Sequence, residues 1–238
     1  MQRFLLATAA ALAMAGSALA ADMPVKAPPV KAPPLPVQGY NWTGCYLAGG
    51  GGYGMFNQDI HENGAKDTIG GRGWFGTLGA GCDVQIGGSW VLGVFGDYDF
   101  SGLKGNLVLP DSGLAGRDKE RSAWAAGGRL GYTLTPTILA YVNAGYTQAR
   151  FAGVNLQDAF SLGSHTYTGW FLGGGYEYNL NWFPGLFWRT EYRFAQYGRD
   201  TLPILDGGVP SGNTITSDKT VQTIRSELVW RFNWGGRY

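Results

Sequence analysis

A two-residue rhythm, carried over segments too long for an ordinary sheet, constrains this chain most. Residues 188–198, WRTEYRFAQYG, put Trp188, Thr190, Tyr192 and Phe194 on one side of an extended backbone and Arg189, Glu191, Arg193 and Ala195 on the other. Side chains of a strand alternate between faces, so this is a strand with one aromatic and one charged face. The same alternation marks segments at about 43–56, 73–86, 90–101, 122–133, 138–151, 168–180, 186–198 and 221–232. Each runs to roughly twelve residues, against the five or six usual for a strand.

The breaks between segments alternate in length. Gly87-Gly88-Ser89, Leu134–Thr137 and Asn181–Gly185 are short, whereas the connections around 57–72, 102–121, 152–167 and 199–220 are long and polar. An even strand count, with tight turns at one end and long loops at the other, is the pattern of an outer-membrane barrel. The faces agree. Trp74, Leu78, Ala80, Val84 and Ile86 oppose Thr77, Asp83 and Gln85; Trp90, Leu92, Val94, Tyr98 and Phe100 oppose Asp97 and Asp99. Likewise Trp124, Leu130 and Tyr132 oppose Arg129, Trp170, Leu172, Tyr176 and Tyr178 oppose Glu177, and Ile224, Leu228, Trp230 and Phe232 oppose Arg225, Glu227 and Arg231.

Two packed sheets could also bury such apolar faces. Two features favour lipid instead. Trp and Tyr gather near strand ends, as in the aromatic girdles of membrane interfaces. Charged residues make up only 15% of the chain, against roughly 25% in soluble domains. The aromatic faces therefore meet lipid and the charged faces point inward, which only a closed barrel permits, because lipid cannot satisfy an open sheet edge. The expected fold is all-β: an eight-stranded antiparallel transmembrane β-barrel over residues 43–232, its N-terminus in the periplasm. Trp230 and Phe232 close the last strand and serve as the insertion signal for the barrel-assembly machinery; residues 233–238 follow as a short periplasmic tail.

The N-terminus reads differently. MQRFLLATAAALAMAGSALA has one early cation, an apolar stretch and a terminal Ala-Leu-Ala, the form of a signal peptide over residues 1–20. The mature chain then begins Ala21-Asp22. A proline-rich stretch with a repeated Val-Lys-Ala-Pro-Pro follows, an extended spacer over residues 21–42. With 18 basic and 17 acidic groups, the chain carries a formal charge of +1, which argues against a nucleic-acid partner.

Several short motifs resemble a known family: Asn41-Trp42-Thr43-Gly44-Cys45-Tyr46-Leu47, Gly79-Ala80-Gly81-Cys82-Asp83, Trp90 through Tyr98, Gly128-Arg129-Leu130-Gly131-Tyr132, Gly169 through Tyr178, Glu191-Tyr192-Arg193 and Trp230 through Trp234. In this order they are similar to the small outer-membrane barrels of alphaproteobacteria, known as porin-family or OmpA-like β-barrel proteins. The resemblance spans the mature chain. It implies an abundant, surface-exposed outer-membrane protein with no catalytic residues to carry over. The chain departs from the family at Phe95, where an acidic residue is common, and at Gly127, where an arginine is common.

An eight-stranded barrel is only wide enough for side chains. Asp83, Asp97, Asp99, Arg129, Glu177, Arg189, Glu191, Arg193, Arg225, Glu227 and Arg231 fill it as a mixed-sign network, read either as a salt-bridged plug or as a narrow polar pore. The expected role is structural, in envelope integrity. The alternatives are a narrow channel for small solutes and a surface adhesin or ligand-binding barrel. Partners are outer-membrane lipid and lipopolysaccharide. Peptidoglycan is a further partner if the free amine of Ala21 is an acceptor for its peptide, an arrangement that related barrels with mature Ala-Asp starts resemble; otherwise Ala-Asp is an ordinary start after signal cleavage. No enzyme, metal or cofactor is expected: the two histidines, His61 and His165, sit in long connections and no metal-spaced set exists. Cys45 and Cys82 are the only cysteines. Placed as antiparallel neighbours, they form a cross-strand disulfide in the oxidising periplasm, or remain two lipid-facing thiols.

Overall fold

Long alternating segments with an apolar and a polar face pair edge to edge until the sheet meets itself. The computed structural model describes residues 40–232 except 63, 112 and 157–159. The strands are β1 (Gly44–Glu62), β2 (Ala65–Ile86), β3 (Trp90–Ser101), β4 (Lys104–Val108), β5 (Ala115–Thr135), β6 (Ile138–Phe151), β7 (Val154–Asn155), β8 (Phe160–Leu162), β9 (His165–Asn179), β10 (Leu186–Tyr197), β11 (Asp200–Asp206) and β12 (Val209–Phe232). Eight of them, β1-β2-β3-β5-β6-β9-β10-β12, form a continuous antiparallel wall, and β12 pairs back to β1 to close it. The signal peptide, Ala21 with nearly all of the linker, and the tail 233–238 lie outside the described residues.

Register follows the alternation. Leu47 lies opposite Ala80 and Tyr53 opposite Trp74, with Cys45 opposite Cys82. Large apolar side chains line the outer wall around its circumference: Trp74 is 75% exposed, Val94 67% and Leu78 58%. Paired rings mark both rims of this band, Trp90 with Tyr132 at the short-turn end and Tyr53 with Trp74 and Trp124 with Tyr146 at the other.

Two expectations need correction. The spacer expected over residues 21–42 is barrel at its end: Trp42 is fully buried with its ring 5.0 Å from Phe187, and its amide donates to Gln85 Oε1. Barrel packing therefore includes Tyr40, whose ring lies 4.8 Å from Phe187. The four long polar loops are in large part sheet. β1 and β2 stay paired to Glu62 and Ala65, β5 begins at Ala115, β12 begins at Val209, and β4, β7, β8 and β11 add to this extension. The cause is an inversion of the pattern. Beyond the outer aromatic rim, apolar side chains turn inward (Phe56, Ile60, Leu107, Ile204, Ile215) and polar ones outward, as in a wall surrounded by water.

Three layers fill the interior. Trp42, Tyr46, Val91, Leu139, Phe187 and Val229 seal the short-turn end. A second apolar layer, including Phe56, Phe75, Phe151, Phe171 and Val221, lies toward the far end. A third fills the extension. The eleven charges expected in the lumen occupy the space between the first and second.

Candidate functional site in the barrel lumen

Six of the eight wall strands contribute one to three charges each from their inward faces. β10 supplies Arg189, Glu191 and Arg193; β12 supplies Arg225, Glu227 and Arg231; β2, β3, β5 and β9 supply Asp83, Asp97 and Asp99, Arg129 and Glu177. Glu177 is the hub nearest the short-turn end. Its Oε1 accepts from Arg129 Nη1 at 2.6 Å and Arg189 Nη2 at 2.6 Å, and its Oε2 accepts from Arg231 Nη2 at 2.6 Å. Asp83 accepts from Arg129 and, at 2.7 Å, from Arg231 Nη1. The Tyr46 ring sits among the same three guanidiniums, 4.6 to 4.9 Å from each carbon centre, within cation–π range.

A second tier lies above. Arg193 grips Asp97 with two nitrogens at 2.9 and 2.8 Å and donates to Glu191 Oε1 at 3.0 Å. Arg225 bridges Asp97 at 3.3 Å and Asp99 at 3.0 Å. Tyr141 Oη and Asn143 Nδ2 complete Glu191 at 2.9 and 2.7 Å. Arg189 also reaches Glu227 at 3.5 Å, and Tyr141, whose hydroxyl bonds Glu191 while its ring lies 5.2 Å from the Arg129 guanidinium carbon, links the tiers. All eleven charges read from the sequence thus share one connected network. Tyr46, Tyr141 and Asn143 join them from β1 and β6, which supply none of the eleven charges, so no charge of the network marks the three in the sequence.

Phe95 and Gly127, the departures from the family pattern, are directly paired. Phe95 packs its ring 5.9 Å from Phe171, and Arg193 stacks 4.4 Å from Phe171 and 5.6 Å from Phe95. An aromatic stack replaces the expected charge pair without interrupting the network. Close packing also explains Gly93, where a methyl group would collide with Asp83 Oδ1. The remaining void among these side chains is about 10 Å³, room for about one water.

The extension carries its own buried charges. Lys219 Nζ lies 3.4 Å from the Phe151 ring centre and 4.9 Å from that of Tyr167, and pairs with Asp118. Glu120 is buried on the same strand as Asp118. On the outside, Cys45 and Cys82 are joined by a disulfide between directly paired residues of β1 and β2. His165 Nε2 lies 3.0 Å from Asp200 Oδ2, with no serine hydroxyl bonded to the imidazole among the described residues. No group of three or more His, Cys, Asp or Glu side chains able to hold a metal occurs among them either.

The chain matches the outer membrane protein β-barrel domain family over residues 6–232. It belongs to that family. The barrel is 30% identical over 257 residues to a 31 kDa outer-membrane immunogenic protein of Brucella melitensis, covering 98% of this chain and 100% of the relative. It is also 30% identical over 181 residues to a 22 kDa outer membrane protein of Rhizobium leguminosarum, covering 72% of each. Among solved structures, the outer membrane protein OprG from Pseudomonas aeruginosa superposes with a TM-score of 0.51 at 15% identity, covering 82% of this chain and 99% of that one; this likeness concerns the fold. The exposed apolar band is therefore the membrane-facing wall. The crossing segments end at the outer rings of Trp74, Phe100, Trp124, Tyr146 and Trp170, so Asp118, Glu120 and Lys219 stand outside the membrane. There, burial pushes the Glu120 carboxyl up to about 7, with nearby Asp99 and Asp118 adding to the rise and Ser101 and Lys219 opposing it.

Proposed function

We propose that this outer-membrane barrel is a non-conducting structural protein of the envelope, with the short turns in the periplasm and the extended sheet projecting from the cell surface. The single observation behind this reading is the filled lumen. Five arginines and six carboxylates bond across it, and the residual void holds about one water. Buried charges in lipid-wrapped protein must be paired, and here pairing occupies the channel axis. The Trp42 layer closes the periplasmic mouth a second time.

A channel would need a continuous wet path, and a ligand-binding barrel an open cavity at the far end. That end is instead packed by Ile60, Leu107, Leu109 and Ile215. Catalysis has no support in the His165–Asp200 pair, which holds no nucleophile. The test is a strain lacking the protein, complemented with the wild type. Loss should raise sensitivity to bile-salt detergents while uptake of small hydrophilic solutes stays the same. Unchanged sensitivity with slowed solute uptake would overturn the proposal.

A further inference from the structure

Outside the outer aromatic rim, one sector of the wall gathers positive charge with no carboxylate paired to it among the described residues. Arg72 on β2 is directly paired with Lys104 on β4, and Lys104 is directly paired with Lys119 on β5. Three like charges thus stand side by side on three adjacent strands, all exposed. Directly opposed side chains in a sheet lie about 5 Å apart at Cβ, and like charges in such pairs are destabilising. Arg117 and Arg121 on β5 and Arg150 on β6 extend the sector. The outward positions of β4, of β5 beyond Trp124 and of β6 beyond Tyr146 hold no carboxylate; Asp118 and Glu120 point inward. Elsewhere in the extension, exposed cations have carboxylate partners: Lys66 with Asp59 at 3.2 Å and Arg199 with Asp218 at 3.7 Å.

The height of the ladder is as specific as its charge. Arg72 lies two residues before Trp74, about 7 Å farther from the membrane along the strand, which sets it where lipid headgroups begin. A cleft of about 430 Å³ opens there, bordered by Arg72, Lys104 and Arg117 with the amides of Asn57 and Asn106. Its floor includes Gly70, Gly71 and Gly105, which present bare backbone. Guanidinium and ammonium groups converging on such a cleft suit the oxygens of phosphate, with the amides free for sugar hydroxyls.

We propose that the Arg72–Lys104–Lys119 ladder and its cleft bind the phosphorylated glycolipid headgroup of the outer leaflet. The bound phosphates neutralise the cross-strand repulsion and hold this sector of the barrel against lipopolysaccharide. The inference rests on the orientation proposed above, and the two can fail separately.

The folded full-length mature protein in detergent is titrated with bis-phosphorylated lipid A, with the same lipid after phosphatase treatment, and with phosphatidylglycerol. Complexes are counted by native mass spectrometry. Wild type should retain the bis-phosphorylated lipid preferentially. The triple variant Arg72→Gln, Lys104→Gln, Lys119→Gln should bind it about 100-fold more weakly, on the scale of roughly fivefold per surface cation. The double variant Lys66→Gln, Arg199→Gln should bind as wild type does. Equal affinity of wild type and triple variant, or equal retention of the dephosphorylated lipid or of phosphatidylglycerol, would overturn the site. Orientation is read independently by labelling a cysteine introduced at Gly207 with an impermeant maleimide on intact cells. Labelling with no ladder effect sinks the site alone; a ladder effect with no labelling sinks the orientation.

Discussion

Glu177 shows how single residues carry this barrel. Three arginines donate to its two oxygens, so its removal leaves cations buried without an anion. Breaking a buried ion pair from one side costs about 3–5 kcal/mol. Glu177→Ala should lower unfolding stability in micelles by about that amount, measured as a shift in the guanidinium midpoint of the heat-modifiable gel band. A shift under about 1 kcal/mol would mean that the network is not a structural hub. Glu120 makes a pH prediction. Its carboxyl is raised from an ordinary 4.5 to about 7. Below the ordinary value both folded and unfolded chains hold the proton, and the group makes no difference to stability. As pH rises toward 7 the unfolded chain ionises first, and stability falls by about 3 kcal/mol before levelling off. Hydrogen exchange of β4 and the outer part of β5, corrected for intrinsic chemistry, should therefore be faster at pH 8 than at pH 5, and Glu120→Gln should remove the difference.

At the scale of elements, legibility depended on which solvent surrounds a strand. Within the membrane the alternation is aromatic against charge, and β3 and β6 appear with the bounds expected, 90–101 and 138–151. Beyond the far aromatic rim the parity holds, but apolar side chains appear on the inner face and polar ones on the outer. On β12, Ile224, Leu228 and Trp230 point out while Arg225, Glu227 and Arg231 point in; farther along, Ile215, Ser217 and Lys219 point in and Thr216 and Asp218 out. Weak apolar signals inside and scattered polar ones outside read as loop, so the extension was missed. Its exposed cations lie far apart in the sequence and come together only because β4 pairs with both β2 and β5. The hairpin of β1 and β2 was more legible, because its two cysteines share a face in the register that pairs Tyr53 with Trp74. The disulfide closes a separation of 37 residues and should stabilise by about 2–4 kcal/mol. Alkylation of denatured, unreduced protein should modify no thiol, and reduction should release both; two free thiols in fresh protein would refute the bond.

For the whole molecule, the closed eight-strand wall followed from the sequence because lipid permits no open edge. The direction of each inward charge followed from strand parity. Which charge meets which did not, since Arg193 finds Asp97 across the lumen from 96 residues away, a pairing fixed by strand stagger rather than by local sequence. In the proposed plugged barrel that pairing closes the lumen, because the same eleven charges arranged along the wall would leave a wet path. The most direct test is planar-bilayer recording of the purified, folded wild-type protein in 1 M KCl, beside the quadruple variant Asp97→Ala, Glu191→Ala, Arg193→Ala, Arg225→Ala. Wild type should insert without unitary conductance, whereas emptying the upper tier should produce discrete openings. Steady unitary conductance from the wild type, unchanged in the variant, would contradict the plugged barrel.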